Sequence, residues 1–241
     1  MIQTDDDGPV RTVTLRREDK RNALTPSALE SLAGAITASP PPVVRLRGAG
    51  EAFSAGADFE TIQTLASAAA RGDTDPAYRF ARAGQQLCAA IERSDTIVVG
   101  TVDGPARGGG MELALACDLR VGTPRATFGE PGVRFGLFGA WGGTQRLIEL
   151  VGQTQAFDLA LSGRTIGAET ARSIGLLSRV TDDPAAVVAE IGAHDPTTLE
   201  HIHSLLAGSR PSDRSRQHER EANAFASLVA QHASSLQQLD R

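Results

Sequence analysis

Thr96-Ile97-Val98-Val99-Gly100-Thr101-Val102, followed by Arg107-Gly108-Gly109-Gly110-Met111-Glu112-Leu113-Ala114, decides how the chain is read. The first segment is an apolar run of strand length, the pattern of a strand buried on both faces. In the second, consecutive glycines let the main chain approach a neighbour closely. The residues from Met111 to Cys117 then form a helical segment that is apolar nearly all round except for Glu112. A strand that feeds a glycine-rich corner and then a helix belongs to an α/β fold.

Working outward, Val10 to Leu15 alternates as a strand, and Thr25-Pro26 reads as N-cap and first helical residue, where proline has no N–H to lose. Ala28, Leu29, Leu32, Ala33 and Ile36 follow at helical spacing; Pro40-Pro41-Pro42 ends the helix, and Val43 to Arg47 is the next strand. Residues 66–80, rich in Ala and Asp with Gly72 and Pro76, predict an exposed connection before a helix from Tyr78 to Arg93. From Gly142 onward the chain reads as helices, with Gly152, Gly163 and Gly175 where left-handed C-caps are expected. Beyond Asp182 every segment reads helical, with Pro184 and Pro196 near helix starts and a polar helix from Ser212 to Leu236. The expected organisation is an α/β core over residues 1–180 and a helical region over 181–241, without internal repeats.

The 241 residues are enough for a sizeable core, and 41% apolar with 22% charged residues argues against a disordered chain. A net charge of −5 excludes a broad basic nucleic-acid footprint while allowing a local cationic patch. Cys88 and Cys117, the only cysteines, form no CxxC or Cys/His cluster, so a reducing compartment is expected. The acidic opening residues have no apolar core of a signal peptide, and no run of about 18 apolar residues predicts a membrane span. The expectation is a cytoplasmic protein.

Two glycine-rich stretches read as anion holders, Phe53-Ser54-Ala55-Gly56-Ala57-Asp58 and Arg107-Gly108-Gly109-Gly110-Met111-Glu112. A helix start supplies free N–H groups and a positive dipole end. Neither stretch is a phosphate-binding Walker sequence or G-x-G-x-x-G, and such a stretch alone is more often a plain turn. Their order is more specific. Arg21-Asn22-Ala23-Leu24, then Phe53 to Asp58, then Gly108 to Ala114 with Cys117-Asp118, then Gly142-Gly143-Thr144-Gln145-Arg146-Leu147, together resemble the enoyl-CoA hydratase/isomerase (crotonase) superfamily. The resemblance runs from about Val10 to Val180.

The resemblance implies a crotonase-like fold of repeated ββα units in stacked sheets, with a helical C-terminal region used for trimerisation. It implies an acyl-CoA thioester substrate whose carbonyl oxygen becomes an enolate, with coenzyme A as part of that substrate and no tightly bound cofactor or metal. The oxyanion donors match by motif to the amides of Ala55 and Gly109, and Glu112 matches the carboxylate that activates water. For Glu112 the bland alternative is a carboxylate that merely favours a helix N-terminus. Arg21, Ala23, Ala55, Ala57, Asp58 and Gly108 are expected to line the CoA site. The side chains of Asp58 and Asp118 are assigned to backbone and turn support. Arg16, Arg17, Lys20 and Arg21 either meet CoA phosphates or form a solvated basic turn.

In the segment Phe128-Gly129-Glu130-Pro131-Gly132, Gly132 stands where a typical hydratase has its second Glu. That departure counts against double-bond isomerisation. Glu130, two residues earlier, shares a face with that position in extended chain and approaches the site, or it pairs with Arg134 or faces solvent. Hydration with Glu112 alone is a further option, if one water supplies both hydroxyl and proton. The expected function is hydration of enoyl-CoA in fatty acid metabolism, by a homotrimer or dimer of trimers with no nucleic-acid or membrane partner. Two alternatives stand beside it: thioester hydrolysis, decarboxylation or carbon–carbon bond chemistry at the same enolate site, and a non-catalytic acyl-CoA binder. Trp141 is expected in packing or at the acyl pocket wall. His201 and His203, two apart on a helix, do not share a face for a metal pair.

Overall fold

The computed structural model describes residues 1–207 and 215–238. The acidic N-terminus forms β1 (Ile2–Asp7), antiparallel to β2 (Val10–Leu15). Sequence pattern misses β1 because it has no alternating apolar face. It is an edge strand whose charged residues lie outward, and Asp6 sits opposite Arg11 in register and pairs with it at 2.7 Å. Charged edges discourage unwanted strand pairing. From β2 onward the strands are parallel: β3 (Val43–Gly48), β4 (Ile97–Val102), β6 (Leu119–Gly122) and β9 (Arg179–Val180) complete a six-stranded sheet in the order β1-β2-β3-β4-β6-β9. A second sheet holds β5 (Pro105–Arg107), β7 (Thr127–Gly129) and β8 (Thr165–Gly167).

The two sheets arise from one repeated unit. β4 joins the large sheet and β5 the small one before α4 (Gly109–Ala116); β6 and β7 repeat the pattern before α5 (Gly143–Ser162). This is the expected ββα repeat. Each corner between unit and helix therefore falls at the same end of the sheets, and the two glycine-rich stretches meet there.

Helix α1 (Pro26–Thr37) starts at Thr25, whose hydroxyl accepts the Ala28 N–H, and it buries Ala28, Leu29, Leu32 and Ile36. The expected exposed connection over 66–80 is corrected. Helix α2 (Phe59–Ala69) buries Ala66, Ala68 and Ala69, and α3 (Asp75–Glu92) buries Ala77 and Phe80. Only five residues link them. Alanine faces pack closely while contributing little apolar bulk, so a reading that searches for large side chains passes over them. Within α5 the helix breaks at Gly152 (φ 75°, ψ 164°) and resumes at once, whereas Gly163 does close it in the left-handed region.

After α6 (Ala168–Ser173), the helices α7 (Pro184–Gly192) and α8 (Pro196–Ala207) cover the sheet: Val187, Val188 and Leu199 pack with Val43, Val99 and Val121. Helix α9 (Ser215–Gln231) lies on α3 and α2, burying Ala222, Phe225, Ala226 and Val229 in the main core; α10 (Ala233–Leu236) follows. The start predicted for that helix, Ser212, falls outside the described residues.

Candidate active site

The first glycine-rich stretch is fixed by main-chain bonds and by a few side-chain anchors. Residues 53–58 run between two segments, with isolated parallel bridges pairing Ser54 to Ala106 and Ala57 to Leu24. Asn22 (φ 57°) is its anchor: its side-chain amide donates to the carbonyls of Ala49 and Ala52, at 2.8 Å each, and its Oδ1 accepts the Arg17 N–H. The Ser54 hydroxyl donates to the Asn22 carbonyl and accepts the Gly56 N–H. Gly56 (φ 87°) comes so close to the start of α4 that a Cβ there would lie 2.9 Å from Gly109 N.

The amide expected at Ala55 is corrected. Its N–H donates to the Arg21 carbonyl at 2.9 Å, so it is not aimed into the cavity. Ala57 is placed differently. In its bridge to Leu24 the bonds are made by its neighbours, Leu24 N–H to Gly56 O and Asp58 N–H to Leu24 O, which turns Ala57's own N–H the other way. Among the described residues no acceptor takes that N–H. On the opposite side, the first intrahelical bond of α4 runs from Glu112 N to Gly108 O, leaving the amides of Gly109, Gly110 and Met111 ahead of it. Ala57, Gly108 and Gly109 line one cavity of about 120 Å³.

Two carboxyl groups close that cavity from the other side. Glu112, in the first turn of α4, is buried; its Oε1 accepts the N–H groups of Trp141 (2.7 Å) and Gly143 (2.8 Å). Glu130, on the short segment after β7, is also buried, and among the described residues its Oε2 has no hydrogen-bond partner. A Cβ on Gly139 would lie 2.8 Å from Glu112 Oε2 and 2.9 Å from Glu130 Oε2, so both oxygens address the same point. Of the two readings of Glu130, the structure favours the one facing the site: Arg134 donates instead to the Gly163 carbonyl. Gly132 lines the cavity without offering a functional group.

Burial raises the pKa of Glu112 to about 8, helped by the negative charge of Glu221 and opposed by the two N–H bonds. Glu130 is pushed well above the ordinary carboxylate range, by burial first and then by Glu112 and Glu221. With no hydrogen bond to its Oε2 among the described residues, Glu130 is the member of the pair that more readily keeps a proton.

The remaining walls are apolar. Trp141 stacks edge-on against Phe80, with ring centroids 5.7 Å apart, and Phe138 and Phe225 face the same space. The Trp141 ring leaves no room for a Cβ on Gly84 or Gly109. It is thus both core and pocket wall. Arg146 is buried on the far side of Trp141, forming a bidentate pair with Glu92 and donating to the Trp141 carbonyl at 2.7 Å.

Ala55 and Ala57 lie in this cavity and also line a second one, together with Arg21, Ala23 and Asp58, which leads toward the basic segment. There Arg17 is committed to Asp58 at 2.6 Å, while Arg21 is exposed, with no acidic partner among the described residues. The Asp58 carboxylate is engaged by Arg17 and by the Thr61 N–H at the start of α2, so its side chain supports the loop rather than a ligand. Asp118 likewise holds the Val98 N–H and His203.

Sequence reading missed Ala57's amide, and it missed Glu221. This buried carboxylate on α9 accepts the Gly142 N–H at 2.8 Å and the Thr144 hydroxyl. The signal was present, since Glu221 lies four residues before Phe225 on the apolar face of α9.

A family model described as enoyl-CoA hydratase/isomerase matches residues 5–234. The chain is 36% identical over 210 residues to a probable enoyl-CoA hydratase of Mycobacterium bovis, covering 86% of this chain and 77% of that one. It is also 36% identical over 182 residues to a crotonyl-CoA hydratase of Syntrophomonas wolfei, covering 73% and 67%. The crystal structure of an enoyl-CoA hydratase/isomerase from Mycobacterium paratuberculosis superposes with a TM-score of 0.89 at 27% identity, covering 99% of this chain and 98% of that one.

Proposed function

Because the chain belongs to the enoyl-CoA hydratase/isomerase family and is an enoyl-CoA hydratase-like enzyme, we propose that it adds water across the 2,3 double bond of a small enoyl-CoA thioester, using Glu112 and Glu130 together. The observation that carries this reading is the convergence of both carboxyl oxygens on one point beside Gly139, opposite two outward-facing amides. The thioester oxygen lies between the N–H groups of Ala57 and Gly109; donors preorganised on developing charge lower the barrier by about 3–4 kcal/mol each. Water sits between the glutamates. Glu112, as carboxylate, takes a proton from it as its oxygen bonds to C3, and the π electrons pass to the thioester oxygen as an enolate. Protonated Glu130 then gives its proton to C2 as the enolate collapses. One proton enters the pair and one leaves, so the pair ends with a single proton, as it began, and Glu130 substitutes for the acid absent at Gly132.

The small cavity walled by Phe80, Trp141 and Phe225 suits a short acyl group. The adjoining cavity takes the pantetheine arm toward Arg21, which suits a phosphate. In this reading coenzyme A arrives as part of the substrate and no resident cofactor is required. The protein works in the cytoplasm in fatty acid metabolism, residues 1–180 carry the chemistry, and residues 181–241 complete it. The chain is one protomer of a homotrimer or dimer of trimers, and the exposed Ile202, Leu205 and Leu206 of α8 suit burial by another copy.

The test is hydration of crotonyl-CoA, followed by loss of its conjugated thioester absorbance. Glu112→Gln lowers kcat on the order of 10²- to 10⁴-fold; unchanged turnover would remove Glu112 from the mechanism. Gly132 in the cavity wall supports one other reading, different thioester chemistry at the same enolate site, which turnover of a saturated or β-carboxylated acyl-CoA in place of crotonyl-CoA would favour.

A further inference from the structure

We propose that Glu221, carried by α9, is a positioning residue that holds the 139–144 loop in the conformation that seats Glu112, so that docking of the C-terminal helix completes the active site. This rests on the hydratase reading above. The amides of the loop alternate between two carboxylates. Those of Trp141 and Gly143 go to Glu112, while that of Gly142 between them goes to Glu221 Oε2 at 2.8 Å. Gly142 (φ 92°, ψ 14°) is in the left-handed region that allows this reversal. The Thr144 hydroxyl binds the other oxygen of Glu221. The loop carbonyls are held as well, Ala140 by Gln85 at 2.9 Å and Trp141 by Arg146 at 2.7 Å.

Glu221 is buried beside Ala222, Phe225 and Ala226, where an apolar side chain would pack without loss of hydration. A third carboxylate close to Glu112 and Glu130 is unfavourable for packing and for charge. Its bonds to the loop are the compensating interaction. The charged and titratable groups facing this loop are Glu112 and Cys88 from inside, Glu130 beside Gly139, the Arg146–Glu92 pair, and His218 on α9, whose ring lies 2.9 Å from where a Gly142 Cβ would be.

Trp141 is the sole tryptophan, so its fluorescence reports on this loop without any substrate. Full-length Glu221→Ala and Glu221→Gln are compared with wild type by acrylamide quenching and by crotonyl-CoA kinetics. In Glu221→Ala, quenching rises more than about twofold as the loop opens, and kcat falls on the order of 10- to 100-fold with KM changed less than about threefold. Glu221→Gln keeps an acceptor for one of the two donors. It recovers much of the protection and moves the acid limb of kcat/KM to lower pH, because Glu112 no longer faces that negative charge. A role in folding alone would lower the melting temperature without separating kcat from KM and without moving the limb, and that result overturns the proposal. If wild type hydrates no enoyl-CoA, the hydratase reading fails on its own. The quenching still decides for Glu221: increased in Glu221→Ala supports the clamp, and unchanged overturns it.

Discussion

The 53–58 loop and the 139–144 loop face each other across one cavity but are held by different means. The first is threaded between neighbouring segments by main-chain bonds, with Asn22 and Ser54 as uncharged anchors and a single ion pair, Arg17–Asp58, at its end. The second is gripped by buried charged side chains from three helices, Glu112 from α4, Arg146 from α5 and Glu221 from α9. On the first side Asn22 and Ser54 carry no titrating group, and the Arg17–Asp58 pair does not involve the proposed base. On the second side the proposed base is itself an anchor, so its position is coupled to its own protonation and pH acts directly on that side of the cavity.

Gly143→Ala strikes the charged side hardest. Its Cβ would fall 2.6 Å from Glu112 Oε1, and displacing that carboxylate lowers kcat on the order of 100-fold. Stopped-flow hydration of crotonyl-CoA measures the loss, which should come with native circular dichroism. On the first side, Asn22→Ala deletes the three hydrogen bonds of a buried side chain and costs about 3 kcal/mol. Calorimetry should then show a melting temperature lower by roughly 6–12 °C at every pH.

The third prediction separates the sides by pH. The pKa of Glu112 is raised from 4.5 to about 8, so the native state binds more protons than the unfolded chain between those values. Stability is therefore full below pH 4.5 and declines as pH rises toward 8, while kcat/KM rises over the same limb as Glu112 ionises. Melting curves and initial rates in one buffer series test both signs; parallel trends would contradict the assignment. The smallest effect concerns the shared wall. Trp141→Leu enlarges the cavity while preserving the backbone N–H to Glu112. It shifts the ratio of kcat/KM for octenoyl- over crotonyl-CoA upward by about tenfold.

Much of the first side was legible in the chain. Asn22, Gly56 and Gly109 occupy positions where the backbone geometry allows few alternatives, and glycine-rich corners after apolar strands are local signals. One residue was misplaced: Ala55 and Ala57 flank the same glycine, and only the bridge to Leu24 reveals which amide turns outward. The charged side was far less legible. Glu112 stood out in an apolar helix, but Glu221 lies more than a hundred residues away in sequence. The direction of Glu130 depended on whether Arg134 took Gly163 or the carboxylate. Such contacts are made by tertiary packing, and no local periodicity encodes them. The helix from Tyr78 to Arg93 was legible as α3, but its first turn and the alanine face of α2 escaped for a related reason, since close helix packing needs small residues that carry little hydrophobic signal.

The central claim is that Glu112 and Glu130 act as one unit sharing a proton. Crotonyl-CoA hydration by Glu112→Gln, Glu130→Gln and the double variant tests it most directly. Groups that work as a unit are non-additive, so Glu130→Gln alone should lower kcat at least about 100-fold, and the double variant should fall no further than Glu112→Gln. A Glu130→Gln enzyme that hydrates at the wild-type rate would contradict the account.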